Sequence, residues 1–197
     1  GEAPGVSLRV LPLTTRDPRR LLEDEAADVA VGHFPAAMAD LSARAQSDSV
    51  VAFESARLYD SEYVCVMRRG HPLAQAPLTL DLYCAARHLL VSISGKSYGV
   101  IDEALAALGR ERRIVLTVNQ FFTAGRVIAS SDLLAVLPRH FVGMDSLGGE
   151  LLWRPLPMPM PGVQVDALWH WRRRHEPAHR WLQDALVRAA MQGASAV

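Results

Sequence analysis

The sequence predicts an α/β fold of two subdomains joined by two crossing segments. Strand-like and helical patterns alternate along most of the chain, which is typical of sheets covered by helices. Residues 58–73, LYDSEYVCVMRRGHPL, are largely apolar on both faces, as in a central strand. Residues 155–162, PLPMPMPG, cannot form regular structure, because prolines lack the N–H donor. These stretches are the predicted crossings, with subdomain I at 1–65 and 162–197 and subdomain II at 66–161.

Composition limits the possible functions. The chain has 197 residues, of which half are hydrophobic and 21% are charged, enough for one large domain or two small ones. The net charge is zero, which disfavours nucleic-acid binding through this chain alone, since phosphate contacts need Lys and Arg. No apolar run approaches the roughly 20 residues of a membrane span. Cys65 and Cys84 form no C-x-x-C pair, so a reducing cytoplasm fits and a disulfide framework or zinc ribbon does not.

The first quarter of the chain predicts strand, helix and strand. Residues 6–13, VSLRVLPL, alternate as in a strand. Asp17 followed by Pro18 is typical of a helix start, because Asp caps free N–H groups and Pro fits the first helical position. Residues 28–32, DVAVG, predict a short buried strand, and a helix followed by such a strand favours a parallel sheet. Residues 50–57 lead into the first crossing.

The rest of the chain continues the alternation. Gly109 ends a predicted helix and Pro138 stops a predicted strand, with a short helix expected after it. The predicted helices cover residues 79–86, 100–108 and 122–129, and a last helix begins at 176–177. The predicted strands cover residues 88–93, 113–118, 132–137, 151–156 and 163–171.

The loop at residues 94–99, SGKSYG, is a candidate anion site because it precedes a predicted helix. A helix N-terminus offers free N–H groups and a partial positive charge, and the two serines and the lysine add donors. Ordinary helix capping explains the same residues equally well. The G-K-S run is similar to part of a phosphate loop, but Leu90 stands where its first glycine must be, so nucleotide binding is rejected.

Two further short stretches carry candidate contact residues. They are Phe121, Phe122 and Thr123 before one predicted helix, and Gly32, His33 and Phe34 after the strand at 28–32. Aromatic rings before a helix can stack on an aromatic ligand, and core packing is the alternative. The carboxyl ends of strands in open α/β sheets form ligand crevices. His33 is interpreted as a solvated loop histidine rather than a catalytic one.

Metal and enzyme chemistry find little support. His170, His175 and His179 are loosely spaced, with Pro177 between the last two, so a metal site is disfavoured. The three arginines at 172–174 are interpreted as a solvated strand end. No G-x-S-x-G, H-E-x-x-H or paired Cys–His signature is present, and we predict no catalytic residue, metal or cofactor.

Four pieces of the chain resemble a known family. They are residues 27–32 (ADVAVG), 58–73, 127–141 (VIASSDLLAVLPRHF) and 169–186 (WHWRRRHEPAHRWLQDAL). In this order they resemble the C-terminal effector-binding domain of LysR-type transcriptional regulators. The tyrosine-rich crossing and the HEPAHRWL tail look most like the branch that responds to aromatic acids and flavonoid-type inducers. The resemblance implies two Rossmann-like subdomains, as in type 2 periplasmic binding proteins.

The resemblance also implies a ligand and a site. A small organic acid, aromatic in the branch just named, is expected in the cleft between the subdomains. Tyr59, Ser61 and Tyr98 join the candidates, since these positions face the cleft in the family, although core packing is the ordinary role of an aromatic such as Tyr59. The expected contact set is Gly32, Phe34, Tyr59, Ser61, Ser94, Gly95, Tyr98, Phe121, Phe122 and Thr123. The alternatives are a solute-binding protein of the same fold for transport and an α/β hydrolase or transferase, which the missing nucleophile motif disfavours.

The expected partners follow from the same resemblance. Family members are cytoplasmic homodimers or homotetramers that bind DNA through an N-terminal winged helix-turn-helix, and no membrane partner is expected. That part is not recognisable in this chain, nor is the first strand–helix unit of the effector domain. We therefore expect a fragment of a longer protein. Without that unit, subdomain I should show an open sheet position and exposed apolar surface.

Overall fold

The computed structural model describes residues 3–13, 15, 17–47, 52–93, 95–142 and 149–194, which fold around two sheets. The helices are α1 (Arg19–Glu23), α2 (Pro35–Gln46), α3 (Leu80–Ala85), α4 (Val100–Ala107), α5 (Phe121–Ala129) and α6 (Pro177–Ala194). The strands are β1 (Ala30–Gly32), β2 (Phe53–Ser61), β3 (Tyr63–Arg68), β4 (Arg87–Val91), β5 (Arg113–Val118), β6 (Leu134–Pro138), β7 (Leu151–Pro155) and β8 (Val163–His170).

The five-stranded sheet has the order β5-β4-β6-β3-β7. β4 is parallel to β5 and to β6, whereas β3 is antiparallel to β6 and β7. Four consecutive residues of β3, Val64 to Met67, are buried, which confirms the predicted central strand. Val64 and Val66 pack toward α5 on one face, while Cys65 and Met67 pack toward α3 and α4 on the other.

The three-stranded sheet has the order β1-β8-β2, and all its pairs are antiparallel. The parallel sheet expected after residues 28–32 is therefore wrong, because β8 from the far end of the chain lies beside β1. The core of this sheet consists of Leu22, Ala30, Phe34, Ala37, Leu41, Phe53 and Leu168. Part of it comes from α2, which the sequence reasoning missed, although Pro35 at its first turn is a typical helix start.

The strand predicted over residues 6–13 is wrong. These residues run as irregular chain, and Val6, Leu8 and Val10 are 43%, 65% and 92% exposed. A strand needs a hydrogen-bonded neighbour, and among the described residues β1 pairs with β8 alone. The expected open sheet position and exposed apolar surface are both present in this part of the molecule.

The first crossing consists of two strands rather than one. β2 ends at Ser61 and β3 begins at Tyr63, so only Glu62 separates the two sheets. The single strand expected within residues 58–73 is thus divided at that residue. Of the second crossing, predicted as irregular over residues 155–162, residues 156–162 carry no helix or strand, whereas Pro155 ends β7 and is the register partner of Val64. The subdomain limits given above stay a prediction.

The arginine run after β8 is not a simple solvated strand end. It begins in a short 3-10 turn, Trp171–Arg173. Arg172 donates from Nη2 to the carbonyl oxygens of Leu22 and Glu23, and so caps the end of α1. Arg173 forms an ion pair with Glu176 at 2.9 Å. These contacts tie the segment before α6 to the end of α1.

Candidate functional site

Three parallel strand ends meet at one edge of the five-stranded sheet. Because β4 is parallel to β5 and β6, the carboxyl ends of all three lie on the same side. The loop at 92–99 follows β4, α5 follows β5, and a 3-10 turn, Arg139–Phe141, follows β6. Tyr63, at the amino end of antiparallel β3, pairs with Pro138 and brings the first crossing to this edge. This is where open α/β sheets form ligand crevices.

Tyr59 and Ser61 contact the 3-10 turn across the crossing. The Ser61 hydroxyl oxygen lies 3.0 Å from Nδ1 of His140. The rings of Tyr59 and His140 meet edge to face, with centroids 5.0 Å apart. β2 belongs to the three-stranded sheet and His140 follows a strand of the five-stranded sheet, so the two sheets touch directly here. We call these three residues the crossing cluster.

A row of aromatic rings continues from the crossing cluster. The centroids of His140 and Phe141 are 4.3 Å apart, and Phe141 stacks on Phe121 at 4.4 Å with an interplanar angle of 26°. Phe122 is 56% exposed and Thr123 is also exposed. Phe121 therefore lies in the same row as Tyr59 and Ser61, whereas neighbouring Phe122 projects into solvent.

His140 and Phe141 were not selected from the sequence, although they join the predicted residues. The signal that could have found them is their position: they directly follow Pro138, the last residue of β6, at the carboxyl end of a parallel strand. In the sequence, this rule was applied only to the residues that follow the strand at 28–32.

Burial keeps the crossing cluster neutral near pH 7. Desolvation lowers the pKa of His140 and raises the pKa of Tyr59. Arg139, one residue away, carries a positive charge; it forms an ion pair with Glu62 at 3.0 Å and lies over the ring of Trp153 at 4.5 Å. The cluster thus combines neutral hydrogen-bonding groups and aromatic faces with an adjacent guanidinium.

The loop before α4 is partly used by its own helix. The backbone N–H of Gly99 donates to Oδ2 of Asp102 at 2.8 Å, so capping, the alternative given above, applies to this amide. Gly95 has φ +73°, a left-handed conformation that favours glycine. Tyr98 is 52% exposed. Ser94 lies outside the described residues.

The end of β1 serves packing more than binding. Phe34 is 1% exposed in the core of the three-stranded sheet, and a Cβ at position 32 would lie 2.9 Å from its Cζ. Gly32 is therefore needed for the approach of this ring. We correct Phe34 from a ligand contact to a core residue. His33, interpreted as solvated, has Nδ1 2.8 Å from the carbonyl oxygen of Gln164 and is partly buried.

The histidines near the C-terminus do not converge. His170 accepts from the N–H of Arg172, whereas His179 is buried edge to face with Trp169. Among the described residues, no group of three or more His, Cys, Asp or Glu side chains is placed to hold a metal ion. Within the same part of the chain, no helix combines the length and apolarity of a membrane span.

Comparison with known families tests the resemblance noted in the sequence. A family model described as the LysR substrate binding domain matches residues 1–191. The chain belongs to this family. This confirms the resemblance and the periplasmic-binding-protein-like α/β fold class.

Two relatives illustrate the match. The HTH-type transcriptional activator NagR from Ralstonia sp is 26% identical over 185 residues, which cover 94% of this chain and 58% of NagR. The HTH-type transcriptional regulator LinR from Sphingobium indicum is 31% identical over 188 residues, which cover 94% of this chain and 57% of LinR. The chain thus spans less than three fifths of the length of these relatives.

Known structures agree with the fold. The probable transcriptional regulator PA0477 from Pseudomonas aeruginosa superposes with a TM-score of 0.77 at 26% identity, covering 93% of this chain and 58% of that one. The effector binding domain of QuiR in complex with shikimate superposes with a TM-score of 0.65 at 16% identity, covering 90% of this chain and 78% of QuiR's. The second likeness concerns the fold alone.

Proposed function

We propose that this chain is the effector-sensing regulatory domain of a LysR-type DNA-binding transcriptional regulator and binds a small aromatic organic acid between its two sheets. The observation that carries the proposal is the contact of Tyr59 and Ser61 with His140. Side chains of both sheets meet there, beside the carboxyl ends of the parallel strands. A ligand among them touches both sheets at once.

The chemistry of this edge suits an aromatic carboxylate. A ligand ring packs against the row formed by Tyr59, His140, Phe141 and Phe121, where aromatic pairs contribute about 0.5–1.5 kcal/mol beyond their buried area. The Ser61 hydroxyl and the backbone N–H groups of residues 96–98 supply donors, and the start of α4 adds partial positive charge. The effector binding domain of QuiR, whose structure is in complex with shikimate, has the same fold and supports a small organic ligand.

Ligand binding regulates the protein through the crossing. A ligand that prefers one arrangement of the two sheets shifts the equilibrium toward it, by no more than its difference in affinity for the two arrangements. Glu62 is the one residue between β2 and β3, so the ligand contacts the elements on both sides of the point that must bend.

The partners proposed for the whole protein lie outside this chain. NagR and LinR are helix-turn-helix regulators, which supports DNA binding through an N-terminal winged helix-turn-helix and a cytoplasmic location. Exposed apolar residues on the edge strand β5, Val115 at 42% and Leu116 at 38%, support a homodimer or homotetramer. We propose no cofactor and no enzymatic activity.

The alternative is a solute-binding protein of the same fold that serves transport. The relatives named as transcriptional regulators favour the regulator. A helix-turn-helix encoded upstream of residue 1 supports the regulator, whereas a secretion signal in that place supports transport.

The proposal is tested by thermal unfolding with benzoate and a panel of substituted benzoates. A ligand at 100 times its Kd stabilises the folded state by about 2.7 kcal/mol, which raises Tm by several degrees. Tyr98→Ala removes an exposed ring of the loop and is expected to weaken binding roughly 2- to 10-fold, the range of one aromatic contact.

Leu108→Ala is the matched control, because Leu108 is 51% exposed just beyond the other end of α4. It should leave the ligand-induced shift unchanged. Equal shifts in wild type, Tyr98→Ala and Leu108→Ala would remove the loop from the site. Absence of any shift across the panel, in this chain and in the full-length regulator, would contradict the aromatic-acid proposal.

A further inference from the structure

A buried ion pair lies behind the loop that precedes α4. Arg112 donates from Nε to Oδ1 of Asp102 at 2.7 Å and from Nη2 to Oδ2 at 3.1 Å. The side chains are only 1% and 8% exposed. Burial lowers the pKa of the Arg112 guanidinium, but its hydrogen bonds to Asp102, together with its contact with Tyr83, outweigh burial and raise that pKa. The two-point geometry fixes both the distance and the orientation of the partners.

Arg112 connects three elements through this contact. It directly precedes β5, and its Nη1 donates to the hydroxyl of Tyr83 in α3 at 3.1 Å. Tyr83 is itself fully buried, with its ring edge to face against His88 of β4 at 4.5 Å. Asp102 therefore rests on a partner that is anchored in the core of the five-stranded sheet.

The other side of Asp102 faces the loop. Its Oδ2 accepts the backbone N–H of Gly99 at 2.8 Å, and its own N–H donates to the carbonyl oxygen of Gly99 at 2.9 Å. Tyr98, the neighbour of Gly99, lines a cavity of about 580 Å³ together with Asp102 and Arg112. One carboxylate thus links the core guanidinium to the backbone of the loop.

We propose that Arg112 and Asp102 are positioning residues of the effector site: their ion pair holds the backbone at Gly99 and thereby presents Tyr98 and the loop at 95–99 to the ligand. The role toward the ligand rests on the proposed function, whereas the positioning of the loop does not. A helix cap alone needs no buried charge, since Ser, Thr or Asn at the surface performs it. A buried ion pair is often no more stabilising than apolar residues of the same size, so stability alone does not explain it.

Backbone hydrogen exchange separates positioning from general stabilisation. The variant Asp102→Ala removes the acceptor of Gly99, and Arg112→Met removes the guanidinium that anchors this acceptor while keeping an unbranched side chain. In both, the amide of Gly99, which donates to Asp102, should exchange at least tenfold faster relative to the amides of β4, residues 87–91, than it does in wild type. Arg112→Lys, which keeps the charge and loses the two-point contact, should give an intermediate ratio.

Arg68→Met is the matched control. Arg68 pairs with Asp132 at 2.7 Å, at the end of β3 opposite to the crossing. It should leave the ratio of Gly99 to β4 exchange unchanged. The inference is overturned if the Gly99 and β4 amides accelerate by the same factor in Asp102→Ala and Arg112→Met, which is the behaviour of a purely structural pair.

Benzoate affinity provides the second readout. If wild type binds benzoate, Arg112→Met should raise Kd at least threefold at a temperature where both proteins are fully folded, and an unchanged Kd contradicts the inference. If wild type binds no member of the panel, the proposed ligand fails, and the exchange ratio alone decides whether the pair positions the loop.

Discussion

The two sheets of this molecule are built to different degrees of completeness. In the five-stranded sheet, three strands have a neighbour on each side, and Val64 to Met67 of β3 are almost fully enclosed between two layers of helices. In the three-stranded sheet only β8 has two neighbours, and β1 has three residues. Beside that short strand the chain at residues 6–13 exposes apolar side chains without strand pairing.

The difference shows that pairing, more than local sequence, decides which apolar stretches become strands. It also sets an order of stability. The five-stranded sheet is continuous in sequence from Tyr63 to Pro155, whereas the three-stranded sheet joins β1 and β2 to β8 across that whole stretch. If the five-stranded sheet unfolds, it leaves a disordered loop of this length between β2 and β8, which costs entropy. Unfolding of the three-stranded sheet leaves no such loop inside the five-stranded sheet.

The largest expected effects come from removing one buried leucine in each sheet. Leu134→Ala in β6 and Leu168→Ala in β8 both truncate side chains that are 0% exposed, so each should lower the free energy of unfolding by about 2–5 kcal/mol. Leu168→Ala should accelerate amide exchange in β1, β2 and β8 and spare β4. Leu134→Ala should accelerate exchange in both sheets.

Leu8→Ala is the control for these two substitutions, because Leu8 is 65% exposed and should change stability by less than about 0.5 kcal/mol. Loss of protection throughout the molecule in Leu168→Ala would mean that the two sheets unfold as one unit, and would remove the contrast between them.

Acid should act on the five-stranded sheet through His88. This side chain is fully buried in β4, and burial lowers its pKa from 6.5 to about 4. Between these two values the unfolded chain binds more protons than the folded one, so stability falls as the pH decreases from 6.5 to 4 and this contribution is lost completely below 4. The full effect is about 3 kcal/mol.

The measurement is the free energy of unfolding in denaturant at pH 7 and pH 5 for wild type and His88→Gln. Burial also lowers the pKa of His140 and His179, so the variant keeps part of the pH dependence. An identical decrease in both proteins would show that His88 does not titrate as its burial requires.

The smallest expected effect lies where the sheets touch. Ser61→Ala removes the hydroxyl that lies 3.0 Å from Nδ1 of His140, and should lower stability by about 0.5–1.5 kcal/mol, the range of one hydrogen bond. Ser55→Ala, in the same strand but exposed, is the control and should be close to neutral. Equal free energies of unfolding for Ser61→Ala and Ser55→Ala would show that the contact between Ser61 and His140 does not stabilise the protein.

Most of the fold was accessible from the sequence because its signals are local. Gly109 and Pro138 end elements near the expected positions, and the β-branched residues within 113–118 located β5 at its observed limits. The strand at 6–13 and the parallel arrangement around β1 were wrong because both depend on which strand lies alongside: no described strand pairs with residues 6–13, and the partner of β1 is far away in the sequence. β8 is more than 130 residues from β1.

Two kinds of reasoning gave access to part of the site. Tyr59 and Ser61 were selected from the family resemblance, and Phe121 because an aromatic residue lies where a helix begins; contacts with the turn after β6 now join all three. Phe34 was selected because it follows a strand end and yet lies in the core, because the sequence does not show that its ring folds back over Gly32. Arg112 and Asp102 gave no signal, since a buried ion pair is a relation between two side chains that no motif records.

The pairing of Ser61 with Val163 has a consequence for the construction of variants. Ser61 is the last residue of β2 and Val163 is the first residue of β8, and the two are register partners on these adjacent strands. The chain therefore leaves the three-stranded sheet at Glu62 and returns to it at Gly162, at neighbouring points. We call residues 62–162 the inserted segment. The two ends of the inserted segment lie close together. We expect that replacing it with the corresponding segment of another family member requires new junctions only at these two points.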